Sequence, residues 1–200
     1  MALITFELTH GIPGKTMGGG DEPLLYREVG LRDGLQAIAR TLPTEQKKQW
    51  LRGAHAAGQR EIEVGSFVPA KYLPQLADTA ELLAHAKSLP GLFASALVPN
   101  LKGAEAAMRA GAHKITLPVS ASPAHSMANV RKTPAQMVEE VRAIARLRDE
   151  MAPGVHIEAG ISTAFGCTLQ GLVPEDEVIA LAAACVAAGA DESGLSDTTG

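Results

Sequence analysis

The chain has 200 residues, 46% of them hydrophobic and 4% aromatic, with a formal net charge of −4. That length suits one domain with a sizeable core, while the mild negative charge and scarce aromatics exclude nucleic acid and anionic membrane as main partners. Cys167 and Cys185 make neither a disulfide framework nor a C-x-x-C metal spacing, so a reducing cytoplasm is expected; no apolar run reaches the roughly 18 residues of a membrane span.

Residues 1–22 differ from the rest of the chain. MALITFELTHG carries Glu7 and no basic segment, so it is not a secretory signal. LITFEL reads as a short strand, and HGIPGKTMGGGDEP as an irregular, glycine-rich lead-in. GKT at Gly14–Thr16 imitates a phosphate loop, but the motif needs a glycine where Thr9 stands and a helix where MGGGDEP would break one.

From residue 23 to 200 the chain alternates. LLYREVG, EIEVGSF, LFASALVP, KITLPVS, VHIEAGIS and DESGLSDTTG read as six main strands. Between them TEQKKQWLRGAHAAG, with Thr44 as cap, PQLADTAELLAHAKSL, LKGAEAAMRAG, TPAQMVEEVRAIARLRDEM, with Thr133 as cap and Pro134 in first position, and PEDEVIALAAACVAAGA read as helices. Gly58, Gly111 and Gly189 stand where a helix must stop before the next strand. Strand–helix alternation predicts an α/β fold with parallel strands. The absence of G-x-G-x-x-G after the first strand, and polar residues at many strand ends, favour a TIM (β/α)8 barrel over a doubly wound sheet. About six of the eight βα units are present, so the barrel is expected to be incomplete.

The strand-end residues carry the candidate chemistry. Arg32 and Asp33 close the first main strand; the carboxylate suits Mg²⁺ or Mn²⁺ and the guanidinium suits a developing oxyanion, or the two form an ion pair that caps a turn. Alternation puts Glu61 and Glu63 on one face, with Ile62 and Val64 toward the helices; Glu63 then points inward and needs a partner, for which Arg32 is the candidate. Asp197, after the sixth strand, either makes a plain turn or orients a hydroxyl. His125 falls in a long fourth βα loop with Ser122 and Asn129. His55, His85 and His113 read as surface or packing residues, Trp50 as a helix residue packed on the barrel, and Cys167 as buried structure, since no base lies beside it.

EVGLRDGLQ, IEVGSFVPAKYLPQLADTAELL, LVPNLKGAEAAMRAGA, FGCTLQG and GLSDTTG resemble, in order and spacing, the 3-hydroxy-3-methylglutaryl-CoA lyase family over residues 24 to 200. The resemblance implies a metal-dependent carbon–carbon lyase on a TIM barrel that cleaves a 3-hydroxyacyl-CoA into acetyl-CoA and a keto acid. By that likeness Arg32 stabilises the enolate, Asp33 ligates the cation, Glu63 positions Arg32 and metal waters, and Asp197 lies near the substrate hydroxyl. Gln36, Asn100 and Ser122 fall at the mouth as substrate-binding candidates. An acyl-CoA substrate is implied; the exposed strand edges of an open barrel separately predict a homo-oligomer. The family completes its metal site with a His-x-His pair on the seventh strand and a later glycine-rich loop bearing a Cys acid and an Asn ligand. No His-x-His occurs in this sequence, and Leu31 stands where the family commonly has Pro. The chain alone is therefore expected to have little activity, as part of a longer enzyme or as a non-catalytic remnant that pairs with another chain. A citramalyl-CoA-type lyase and an acetyl-CoA-condensing synthase use similar residues.

Overall fold

The computed structural model describes residues 4–6 and 25–198; the GKT segment lies outside them. The chain order is β1 (Ile4–Phe6), β2 (Arg27–Glu28), α1 (Thr44–Ala56), β3 (Glu61–Ser66), α2 (Thr79–Ala86), β4 (Phe93–Leu97), α3 (Leu101–Ala110), β5 (Lys114–Ser120), α4 (Pro123–Val130), α5 (Pro134–Met151), β6 (His156–Ser162), α6 (Glu175–Ala187) and β7 (Glu192–Leu195). Strands β2 to β7 lie side by side in chain order and run parallel, as crossover helices require. β1 adds on beyond β7 and runs antiparallel, pairing Ile4 with Leu195 and Phe6 with Ser193. No helix among the described residues is long and apolar enough to cross a membrane.

Local signals hold where they are strongest. Thr133 and Gln136 form a full capping box at α5 with Pro134 at its start. Gly58, Gly111 and Gly189 all take positive φ just after α1, α3 and α6. Other expectations need correction. Thr44 does not cap α1: Pro43 occupies that position and no side chain does the job. PQLADTAELLAHAKSL is a 3-10 turn at Pro74–Leu76 followed by the shorter α2, because Thr79 Oγ1 bonds back to Leu76 O and across to Ser66 O. The first main strand is only two residues long before the chain turns, and β7 ends two residues short of Asp197.

The two faces of the sheet differ chemically. Ile62, Val64, Ala94, Ala96, Ile115, Leu117, Val119, Ile157, Ala159 and Ile161 form the apolar face buried under the helices. The opposite face carries Glu61, Glu63, Lys114, Thr116, Glu158 and Glu192, all buried too. Salt bridges across that face measure the curvature. Arg27 Nη2 on β2 lies 2.6 Å from Glu158 Oε2 on β6 and 3.7 Å from Glu192 on β7. Adjacent strands sit about 4.8 Å apart, so β2 and β6 would be roughly 19 Å apart in a flat sheet. The six strands therefore curl into part of a barrel with these charges inside it. Lys114 Nζ bridges Glu61 and Glu192 at 2.9 and 2.6 Å, and Arg27 Nε bonds Glu61 at 2.6 Å. Burial alone would lower the Arg27 guanidinium, but the Glu158 and Glu61 carboxylates outweigh it and raise it.

His156 sits at the edge of this network, with Nε2 3.6 Å from Glu192 and Nδ1 3.9 Å from Asp191. The Glu192 carboxylate raises His156 above 6.5. Burial alone would raise Glu192, but His156 and Lys114 outweigh it and bring it down to about 2. The raised imidazole stabilises the fold fully below pH 6.5 and stops doing so as pH climbs through its folded value; the depressed carboxylate stabilises above pH 4.5 and stops as pH falls toward about 2. Urea midpoints should thus fall between pH 6 and 9, and His156→Gln should flatten that fall. A His156→Gln profile parallel to the parent's would contradict the pairing.

Candidate active site at the strand tips

The chain leaves β2 in a single wide helical turn, Gly30–Gly34, in which Arg32 N and Asp33 N both donate to Val29 O. Arg32 and Asp33 thus lie on a π turn beyond the strand, not at its end. Such turns recur at functional sites. Gly30 is needed there, since a Cβ would stand 2.5 Å from Glu28 Oε1 and 2.6 Å from the Trp50 ring. Trp50 packs against this turn while remaining 40% exposed. Leu31, fully buried, pins the turn to the core.

Arg32 is held from two sides. Its Nε donates to Glu63 Oε2 at 2.6 Å and its Nη1 to Asp33 Oδ1 at 2.7 Å. Glu63 is 1% exposed and points to the concave face, as strand alternation requires. Burial pushes its carboxyl above the usual range, and Arg32 opposes that shift without cancelling it. Its other oxygen, Oε1, has no hydrogen-bond partner among the described residues; Glu158 Oε1 and Ser162 Oγ share that condition. The Asp33 carboxylate is 40% exposed. Arg32, Asp33 and Glu63 therefore form one contiguous group.

A second polar group joins the tips of β5, β6 and β7. Ser120 Oγ and Thr163 Oγ1 are 3.0 Å apart, and His125 Nδ1 lies 3.0 Å from Ser120 Oγ. Ser122 is buried; its Oγ donates to Gln170 Oε1 and accepts from His125 N. Ser122, His125 and Asn129 are not on a loop: Ser122 caps α4, which carries the other two. Cys167 is buried, as expected. Asp197 is exposed and precedes Thr198, whose Oγ1 accepts from Thr163 N at 2.8 Å. Asn100 caps α3 by accepting from Gly103 N, and Gln36 is exposed just after the Arg32 turn.

Sequence reasoning missed Arg27, Lys114, Glu158, Glu192 and Gln170. The signal for Lys114 and Glu158 was a lone charge at an inward position of an apolar strand, in KITLP and HIEAG; Arg27 and Glu192 each stand beside a second charge, and the sequence carried no such signal for them. As for a cation, Asp33 offers a reachable oxygen, but no three His, Cys, Asp or Glu residues among those described gather to hold an ion. The described residues by themselves do not make a divalent-metal site.

Residues 24–200 match the sequence profile of the HMGL-like family. A hydroxymethylglutaryl-CoA lyase of Bacillus subtilis is 33% identical over 174 residues, covering 87% of this chain and 58% of the relative. A 3-hydroxy-3-isohexenylglutaryl-CoA/hydroxymethylglutaryl-CoA lyase of Pseudomonas aeruginosa is 36% identical over 173 residues, 86% of this chain and 57% of the relative. Among solved structures, an HMG-CoA lyase from Acinetobacter baumannii in complex with coenzyme A and 3-methylmalate superposes with a TM-score of 0.81 at 34% identity, over 88% of this chain and 57% of that one. The chain thus spans little more than half the length of the relatives it matches.

The Arg32–Glu63 contact predicts a measurable coupling. Arg32→Ala leaves a buried carboxylate without its cation, which should cost about 3–5 kcal/mol of unfolding free energy at pH 7. The deficit should shrink as pH is lowered and Glu63 takes up a proton. A deficit that is small or constant with pH would show that Glu63 does not depend on Arg32.

Proposed function

The chain belongs to the HMGL-like family, and on that premise we propose that it forms the Arg32 half of a carbon–carbon lyase site that cleaves a 3-hydroxyacyl-CoA such as 3-hydroxy-3-methylglutaryl-CoA. The observation that carries this reading is Arg32 clamped between Glu63 and Asp33 at the strand tips. A guanidinium fixed by two carboxylates is oriented before substrate arrives, and it stays charged at any working pH.

In the proposed reaction a base takes the proton of the substrate's tertiary hydroxyl, whose oxygen becomes the carbonyl of the departing keto acid. The bond to the carbon beside the thioester breaks, and its electron pair moves into the thioester enolate. Protonation of that carbon then gives acetyl-CoA. Arg32 faces the negative charge that develops on the enolate oxygen. Glu63 holds Arg32 in place from the barrel interior, and Asp197, beyond β7, orients the hydroxyl. Gln36, exposed beside the Arg32 turn, is the candidate to meet the acyl chain, while Ser122 and Asn100, whose side chains are engaged in capping α4 and α3, shape the mouth from behind.

Mg²⁺ or Mn²⁺ would supply Lewis-acid polarisation when bound. Asp33 is one oxygen ligand for it, and the described residues do not complete the set. We place the protein in the cytoplasm, in keeping with two free, buried cysteines.

Two measurements test this reading. Titration of the 200-residue chain with Mn²⁺, followed by water-proton relaxation, should give a dissociation constant no tighter than about 1 mM; tight binding would mean a metal site elsewhere. For activity, the part of the Pseudomonas aeruginosa relative that follows its matched region is joined after Gly200, and acetyl-CoA release is assayed on several 3-hydroxyacyl-CoA esters with Mn²⁺. Release is expected, and Arg32→Gln should lower kcat by about 10²–10³-fold. Release that is indifferent to Arg32→Gln, or no release from any ester, would remove the lyase assignment.

A further inference from the structure

Thr163 is a β-branched residue in the left-handed region, with φ of 58°, at the end of β6. β-branched residues avoid that region, and such strain persists only where the surroundings over-determine it. Here they do. The Thr163 side chain is 1% exposed. Its Oγ1 donates to Ser162 O at 2.6 Å and accepts from Ser122 N at 3.1 Å, with Ser120 Oγ 3.0 Å away. Its backbone N donates to Thr198 Oγ1 at 2.8 Å, and the next amide, Ala164 N, donates to Ser196 O at 3.3 Å. One residue thus ties the tip of β5, which carries Ser122, to the segment after β7, which carries Asp197.

We infer that Thr163 is a positioning residue that holds Ser122 and Asp197 at a fixed separation across the mouth. The inference rests on the lyase reading for its catalytic consequence and on hydrogen bonding alone for its structural one. It acts through its neighbours and has no contact with reacting atoms. Thr163→Val keeps the shape and removes the hydroxyl. It frees the Ser122 amide, while the backbone bonds from residues 163 and 164 to the 196–198 segment remain. Thr163→Ser keeps the hydroxyl and drops only the methyl.

Two readouts separate the clamp from the chemistry. In the 200-residue chain, amide hydrogen exchange at residues 120–126 should speed up at least about tenfold in Thr163→Val, with residues 196–198 and the Thr163→Ser variant close to the parent. In the activity assay above, Thr163→Val should lower kcat by about 10- to 100-fold at similar KM, and Thr163→Ser should restore it to within about threefold, since misplacement of about 1 Å costs up to 10². Unchanged exchange at residues 120–126 overturns the clamp, whatever the assay shows. Faster exchange with unaltered kcat, or a serine variant as slow as the valine one, overturns the positioning role. If the parent cleaves no ester, the lyase reading fails while the exchange result still decides the clamp.

Discussion

Arg27 reaches across the concave face to Glu158, four strands away, and that reach is possible only because the sheet is curved. The contact and the curvature require each other. Three carboxylates, at 61, 158 and 192, meet two basic side chains, at 27 and 114, in a space with almost no solvent exposure. Removing one partner from such a set leaves a buried charge uncompensated, which costs far more than the set contributes to stability. The arrangement therefore specifies a geometry: any flatter sheet would pull Arg27 away from Glu158 and leave both unpaired. The strand tips inherit their positions from this floor.

The mouth repeats the logic at smaller scale. Glu63 lies on the same face as Glu61, two residues further along β3, and takes Arg32 as Glu61 takes Arg27. The two levels differ in access. Arg27 is 6% exposed and fully surrounded by carboxylates, whereas Arg32 is 14% exposed beside an Asp33 that faces outward. One guanidinium closes a structure and the other is presented.

Much of this was written locally. The capping box of α5, the bounds of β5 and β6 and the three helix-ending glycines depend on neighbours within a few residues, so spacing reveals them. The inward aim of Glu63 followed from alternation alone. What stayed hidden depends on distant partners. LLYREVG looks like a long strand, but Trp50 and Glu28 crowd Gly30 and the chain turns after two residues. SASPAHSMANV looks like a polar loop, but Ser122 caps it into a helix whose residues Ser126 and His125 bond to Lys132 O and Ser120. The ionic floor joins residues from five strands, and no window of sequence contains more than two of them.

Strand β1 has a consequence for how this fold can be completed. Ile4–Phe6 occupies the outer rim of β7, in the antiparallel sense, over only three residue pairs. In an eight-stranded cylinder that rim belongs to the next parallel strand, which would need the same amide and carbonyl groups. The two arrangements are mutually exclusive, so ring closure and the docking of the amino-terminal segment compete for one template. Growth of the cylinder past β7 begins with an act of displacement.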